Sequence, residues 1–198
     1  TLGRLLTVTQ PDPDGAGALS APVTTYAYNA AGLVSKVTDP LGYVTTYTYD
    51  DMNRVTKITL PDPDGAGSLT SPVLERTYND GGLLASETSA TGAVTKYAYD
   101  NAGRLASITQ PDPDGAGALS SPVTTYSYDS LDRLTAVNDP LGYQTTFTYD
   151  SRDRLTKRTD PDPDGAGALS APVTQWAYDN ASQVTSMTDP LGNVTSYT

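Results

Sequence analysis

The chain has no cysteine and no histidine among its 198 residues. Without thiols there is no disulfide framework and nothing to report the redox compartment. The same two absences remove thiol nucleophiles, histidine-based triads and zinc sites of the usual ligand types. Basic residues are scarce as well, 12 Lys and Arg against 23 Asp and Glu, for a formal charge of −11. Nucleic-acid binding rests on clustered Lys and Arg, so a phosphate backbone is not expected as a partner. No apolar run approaches the roughly 18 residues that a membrane-spanning helix needs, and the N-terminus lacks the charged-then-apolar pattern of a signal peptide.

Among aromatics the chain has one Phe and one Trp but 14 Tyr. With Val, Leu, Ala and abundant Thr, these are the materials of a β-sheet. Pro (15) and Gly (17) recur at fixed offsets, as turns do when they punctuate short strands. The heptapeptide Pro-Asp-Pro-Asp-Gly-Ala-Gly begins at Pro11, Pro61, Pro111 and Pro161, so the major period is 50 residues. A second beat, aromatic-x-Tyr-Asp/Asn, falls at Tyr26/Tyr28/Asn29, Tyr47/Tyr49/Asp50, Tyr97/Tyr99/Asp100, Tyr126/Tyr128/Asp129, Phe147/Tyr149/Asp150 and Trp176/Tyr178/Asp179. Tyr78/Asn79 keeps the place, with Arg76 where the first aromatic belongs. Successive steps of 21 and 29 residues alternate, and the long unit carries the heptapeptide loop.

Each unit reads as two strands and two turns. Asp39-Pro40-Leu41-Gly42 carries the preferences of a type I turn closed by a left-handed residue. The second turn ends at Gly3, Gly32, Asn53, Gly82, Gly103, Asp132, Asp153 and Ser182, of which all but Ser182 are types that tolerate positive φ. From Tyr43 to Tyr49 the tyrosines and Thr45 alternate with Val44, Thr46 and Thr48, the period of a strand. The partner segment has two apolar columns three residues apart, one from Leu5 and Val34 onward, the other from Val8 and Val37 onward with charged exceptions at Glu87 and Arg158. An offset of three puts them on opposite faces, so either both faces are partly covered or a bulge intervenes.

Hairpins joined by tight turns make an antiparallel meander, advancing about 19 Å per period at roughly 4.8 Å per strand. The expected fold is all-β, a single repeat array over residues 1–198 of four 50-residue periods, each one short and one long unit. A lone unit is not expected to stand without its neighbours. Because the chain begins and stops inside repeats, it reads as a piece of a longer protein.

The composite pattern seen in Asp100-Asn101-Ala102-Gly103-Arg104-Leu105, Thr38-Asp39-Pro40-Leu41-Gly42 and Thr46-Tyr47-Thr48-Tyr49-Asp50 resembles the YD repeat of RHS proteins. That family includes bacterial RHS and wall-associated polymorphic toxins, the B/C shell of insecticidal toxins and the teneurins. The resemblance implies a long sheet that spirals into a hollow shell, often around a C-terminal toxic domain. Family members that release a cargo end in a segment with an aspartyl self-cleavage site. Asp39, Asp139 and Asp189 stand here in plain repeat turns, so no catalytic role is carried onto them. The near-identity of the periods suits an open spiral, solenoid or fibre at least as well as a closed container.

The acidic loops are the one feature that invites chemistry. Asp12/Asp14, Asp62/Asp64, Asp112/Asp114 and Asp162/Asp164 pair carboxylates before a Gly turn, which a hard cation such as Ca²⁺ could use. Asp160 gives the fourth copy the opening D-x-D-x-D-G of a calcium loop, but the twelfth position is Ala171. The alternative is a stiff exposed loop in which Asp caps local turns. These loops could also form a lateral contact surface. The Tyr column could stack on sugars, although aromatics at i and i+2 on a strand more often serve sheet packing. Asn193-Val194-Thr195 fits a glycosylation sequon, a pattern short enough to arise by chance.

From these features the chain is expected to be a non-enzymatic structural module, a spacer, fibre or shell wall, of a large secreted or surface-anchored bacterial protein. Its expected partners are its own neighbouring repeats, with self-association into fibres, glycans or a C-terminal toxin cargo as further candidates. Calcium is the one cofactor considered.

Overall fold

A computed structural model describes residues 3–15, 17–65, 67–115, 117–165 and 167–198. Thr1, Leu2 and the alanine of each heptapeptide (Ala16, Ala66, Ala116, Ala166) lie outside the described residues. The chain forms two compact units, Thr1–Thr95 and Lys96–Thr198. Among the described residues every regular element is a strand, and no helix is long and apolar enough to cross a membrane.

In the first unit β1 (Thr7–Thr9), β2 (Val23–Tyr28), β3 (Val34–Thr38), β4 (Val44–Tyr49), β5 (Val55–Thr59), β6 (Val73–Tyr78) and β7 (Leu84–Thr88) follow one another in chain order, each antiparallel to the next. The unit boundary falls within β8 (Val94–Tyr99). The second unit repeats the arrangement, with the Lys96–Tyr99 part of β8 pairing with β9 (Leu105–Thr109). Next come β10 (Val123–Tyr128), β11 (Leu134–Asn138), β12 (Gln144–Tyr149), β13 (Leu155–Thr159), β14 (Val173–Tyr178), β15 (Val184–Thr188) and β16 (Val194–Ser196). This is the all-β antiparallel meander read from the turn spacing. Within each unit, the turns that follow Tyr-Asp lie on one side of the ribbon, and the Asp-Pro-Leu-Gly turns and heptapeptide loops on the other.

The open question of the two apolar columns is settled by a bulge. Ala27 pairs with Lys36 but Tyr28 pairs with Val34, leaving Ser35 as an extra residue. The same slip leaves out Thr56, Ala85, Ala106, Thr135, Thr156 and Thr185 in the equivalent hairpins. One extra residue turns an offset of three into an offset of two along the partner strand. Val34 and Val37 therefore oppose Tyr28 and Tyr26, and the two columns share the tyrosine face.

That face makes contacts without a deep interior. Among the described residues Ala136, at 9% exposure, is the one buried apolar side chain; the remaining apolar strand residues are half-buried or exposed. Stability must come from neighbour-to-neighbour contacts repeated along the sheet.

Candidate functional site

All eight final turn positions adopt positive φ, from 62° at Gly3 and Asp153 to 84° at Gly32. Ser182, the one residue whose type argued against it, has φ 66°. The repeat geometry imposes this conformation even on a side chain that does not favour it. Each Tyr-Asp turn closes by a hydrogen bond from the residue at this position to the carbonyl of the first, as from Gly103 to Asp100 at 2.9 Å.

The Asp at the head of the turn performs three tasks at once. One Asp100 carboxylate oxygen accepts the amides of Ala102 and Arg104 at 2.9 and 3.0 Å. The other accepts Nε and Nη2 of Arg104, both at 2.7 Å. Arg104 then reaches forward into the next unit. Its Nη1 donates to the Asp129 carbonyl at 3.0 Å and to the Asp132 carboxylate at 2.7 Å, and the guanidinium lies 4.7 Å from the Tyr128 ring centre. Asp129 holds Arg133 in the same way, and Arg133 donates to the Asp150 carbonyl and the Asp153 carboxylate, both at 2.9 Å, beneath Tyr149. Asp150 holds Arg154, which donates to the Asp179 carbonyl at 2.7 Å and stacks on Tyr178. In the second unit a chain of alternating Asp and Arg thus links four consecutive turns.

The first unit has two partial rungs. Arg54 pairs with Asp50 and stacks 4.2 Å from the Tyr78 ring centre, but Gly82 stands where Asp132 and Asp153 stand later. Its Nη1 is buried without a hydrogen-bond partner. Arg4 stacks on Tyr28 at 5.2 Å. Leu33, Leu83 and Gln183 occupy the Arg place in the remaining units.

Electrostatics follow the geometry. Hydrogen bonds from the Arg four residues on hold the carboxyls of Asp50, Asp100 and Asp129 below the ordinary carboxylate value, aided by the turn amides. At Asp150 desolvation pushes upward most strongly, yet the combined pull of Arg154 and the turn amides prevails and the net shift is downward. The guanidinium groups of Arg104 and Arg133 are correspondingly held in the charged form, chiefly by Asp100 and Asp129.

The tyrosines complete the linkage. The hydroxyls of Tyr28, Tyr49, Tyr78, Tyr128, Tyr149 and Tyr178 donate to the carbonyls of Leu5, Val34, Val55, Leu105, Leu134 and Leu155, at 2.6 to 3.0 Å. Each bond ties a strand to the one before it across a turn or loop of the opposite side. A guanidinium already covers one face of Tyr28, Tyr78, Tyr128, Tyr149 and Tyr178. Tyr43 and Tyr143 precede their strands and remain exposed on the loop side.

The carboxylates of the heptapeptide loops face their own backbone. In all four copies the first Asp (Asp12, Asp62, Asp112, Asp162) accepts the amide of the second at 3.2 Å. The second (Asp14, Asp64, Asp114, Asp164) accepts the amide of Leu19, Leu69, Leu119 or Leu169 at 3.0–3.1 Å. Those Leu amides are the main reason the carboxyls of Asp64, Asp114 and Asp164 lie below the ordinary value. The closing Gly is required because a Cβ at Gly17 would collide with the Asp14 carboxylate, as at Gly67, Gly117 and Gly167. Asp160 stands at the strand end, in an ion pair with Arg158 at 2.5 Å. Among the described residues no three acidic side chains converge as a metal cluster would. Asp39, Asp139 and Asp189 likewise accept amides of their own turns.

The role of the Arg column emerges only in the folded chain. A signal was there: Arg recurs four residues after the turn Asp in four of the units, a spacing that lets one guanidinium fork onto the carboxylate.

The RHS Repeat family model matches residues 28–66, 78–116, 114–142 and 128–166, well over half of the chain. No curated protein matches it. Among solved structures, the crystal structure of TcdB2-TccC3 is similar with a TM-score of 0.68 at 18% identity, over 89% of this chain and 10% of that one. The Photorhabdus luminescens Tc holotoxin pore with a mutated TccC3 gives 0.67 at 19% identity, over 90% and 10%. TcdB2-TccC3 without its hypervariable C-terminal region gives 0.66 at 19%, over 85% and 9%. At these identities the likeness concerns the fold, and this chain spans about a tenth of the length of the chains it matches.

Proposed function

The chain belongs to the RHS repeat family, and on that premise we propose that this structural repeat scaffold serves as a wall or spacer segment of a large secreted or cell-surface bacterial protein. The observation that carries this reading is the linkage between units. Arg104, Arg133 and Arg154 each join the turn of their own unit to the turn and a tyrosine of the next, and six Tyr hydroxyls each join a strand to the segment before it. The scaffold acts without catalysis of its own, since the turn carboxylates are engaged by amides and guanidinium groups. We assign the loop carboxylates to capping rather than to calcium, because each copy already directs an oxygen at its own backbone.

A second reading, in which the repeats enclose a C-terminal toxin cargo, draws support from the fold shared with the Tc holotoxin structure. It uses the same coupling and differs in what the wall surrounds.

A modular scaffold must tolerate loss of one whole period, since units join by equivalent pairings. Deleting residues 61–110, so that Leu60 joins Pro111, is expected to leave an all-β circular-dichroism spectrum and a melting midpoint within a few degrees of the parent. Collapse to an unfolded chain would refute the scaffold reading.

A further inference from the structure

On the loop side of the first unit, a groove of about 420 Å³ lies between the turn that ends at Gly42 and the heptapeptide loop that starts at Pro61. Tyr43, Val44, Leu60 and Pro61 give it an apolar lining, and Asp62 is the one charged side chain lining it among the described residues. A second carboxylate is close by, since Asp39 accepts the Tyr43 amide at 2.9 Å. No Lys or Arg occurs in residues 38–44 or 60–72. Lys36, opposite Thr46 in the register of β3 and β4, is exposed and does not line the groove.

The other side of the ribbon shows what such a setting accepts. Five tyrosine rings there each carry a guanidinium 4.2 to 5.2 Å from the ring centre. Four of those guanidinium groups also meet a carboxylate. Tyr43, by contrast, is 51% exposed, and its groove has a carboxylate but no cation. An open aromatic face beside unpaired negative charge attracts a planar cation through the ring quadrupole and through Coulomb attraction together. The second unit repeats the residues: Tyr143 is also 51% exposed, and Pro161 and Asp162 hold the places of Pro61 and Asp62. Ala136 there replaces Lys36, so the neighbouring strand brings no cation.

We propose that the groove beside Tyr43, and its repeat beside Tyr143, docks an arginine-bearing segment of a partner protein, with the guanidinium on the tyrosine ring and its charge met by Asp62 or Asp162. The aliphatic stem of the arginine covers the apolar lining while its head reaches the carboxylate. Arginine suits the site better than lysine, because its planar fork can stack on a ring and bond a carboxylate at once. The docking surface lies on the side of the ribbon opposite the Asp–Arg–Tyr linkage, so filling it leaves the coupling between repeats intact.

The probe is a fluorescent hexa-arginine peptide titrated against the full chain at about 0.15 M salt, where diffuse attraction is screened. Tyr43→Leu/Tyr143→Leu keeps apolar side chains and the net charge, and is expected to weaken binding about fivefold through loss of the ring faces. Asp62→Asn/Asp162→Asn is expected to weaken it more than Asp12→Asn/Asp112→Asn, the same loss of charge in the other two loops. Hexa-lysine is expected to bind less tightly than hexa-arginine, and circular dichroism checks that every variant keeps the all-β spectrum. Absence of binding by the parent would overturn the proposal. So would unchanged affinity in the tyrosine variant, equal effects of the two Asp pairs, or equal affinity for hexa-lysine, each of which reduces the contact to general attraction toward an acidic chain. Displacement of the peptide by maltohexaose would assign the grooves to a neutral sugar instead.

Discussion

At the scale of the residue, an Asp placed between a turn and an Arg does several jobs. Its carboxylate replaces water for two amides and neutralises a guanidinium held in a half-buried position, and charge-assisted bonds of this kind are stronger than neutral ones. Arg54 shows what an incomplete set looks like, since its Nη1 lacks the acceptor that Asp132 and Asp153 give to Arg104 and Arg133. Gly82 has φ 82°, and a Cβ there would approach Arg54 Nη1 at 3.3 Å. Gly82→Ala is therefore expected to destabilise by about 1 kcal/mol, the cost of a left-handed L-residue. Gly82→Asp, which brings an acceptor to the same atom, is expected to unfold at a higher temperature than Gly82→Ala. Equal melting midpoints for the two would show that the acceptor contributes nothing.

At the scale of the element, the hairpin tolerates a change of chemistry when both partners change together. Arg76 stands where other units have an aromatic and Glu87 where they have an aliphatic residue. The bulged register puts the two opposite each other, with Arg76 Nε 2.8 Å from Glu87. Two departures that look like separate lapses in the sequence are one cross-strand substitution. Arg76→Tyr and Glu87→Val are each expected to destabilise, and the double variant to recover much of the loss. A coupling of about 0.5–1 kcal/mol is expected in a double-mutant cycle followed by urea unfolding. Additive effects would separate the two residues. Arg158 is accommodated differently: opposite Phe147, it turns to Asp160 at the strand end.

At the scale of the whole molecule, stability is distributed over contacts between neighbouring strands with little interior in either unit, so solution conditions act on many rungs together. The carboxyls of Asp50, Asp100, Asp129 and Asp150 lie below their ordinary value in the folded chain. Their contribution is complete above the unfolded value of about 3.9 and is lost as pH falls through the folded one. The melting midpoint of Arg104→Leu, a side chain found at this place in Leu33 and Leu83, is expected to lie a few degrees below the parent at pH 7. That gap should narrow as the pH is lowered beneath the ordinary carboxylate range, since a protonated Asp100 no longer distinguishes the two. A gap independent of pH would assign the loss to packing on Tyr128 instead. Calcium or EDTA at pH 7 is expected to move neither midpoint.

Much of this architecture was legible from the sequence because turn chemistry is local. Asp, Pro and Gly at fixed offsets determine where the chain reverses, and alternation between reversals determines which segments are strands. Column registry along 50 residues determines that, within each unit, each strand meets the next. Three things required the tertiary structure. The bulge decided that Val34 and Val37 share a face, because a one-residue slip is a property of the strand pair. Position types alone argued against the left-handed Ser182, yet the surrounding ladder holds it there. The Asp–Arg–Tyr linkage was hidden because its partners lie 17 to 28 residues apart. Only the folded meander brings successive turns within reach of one guanidinium.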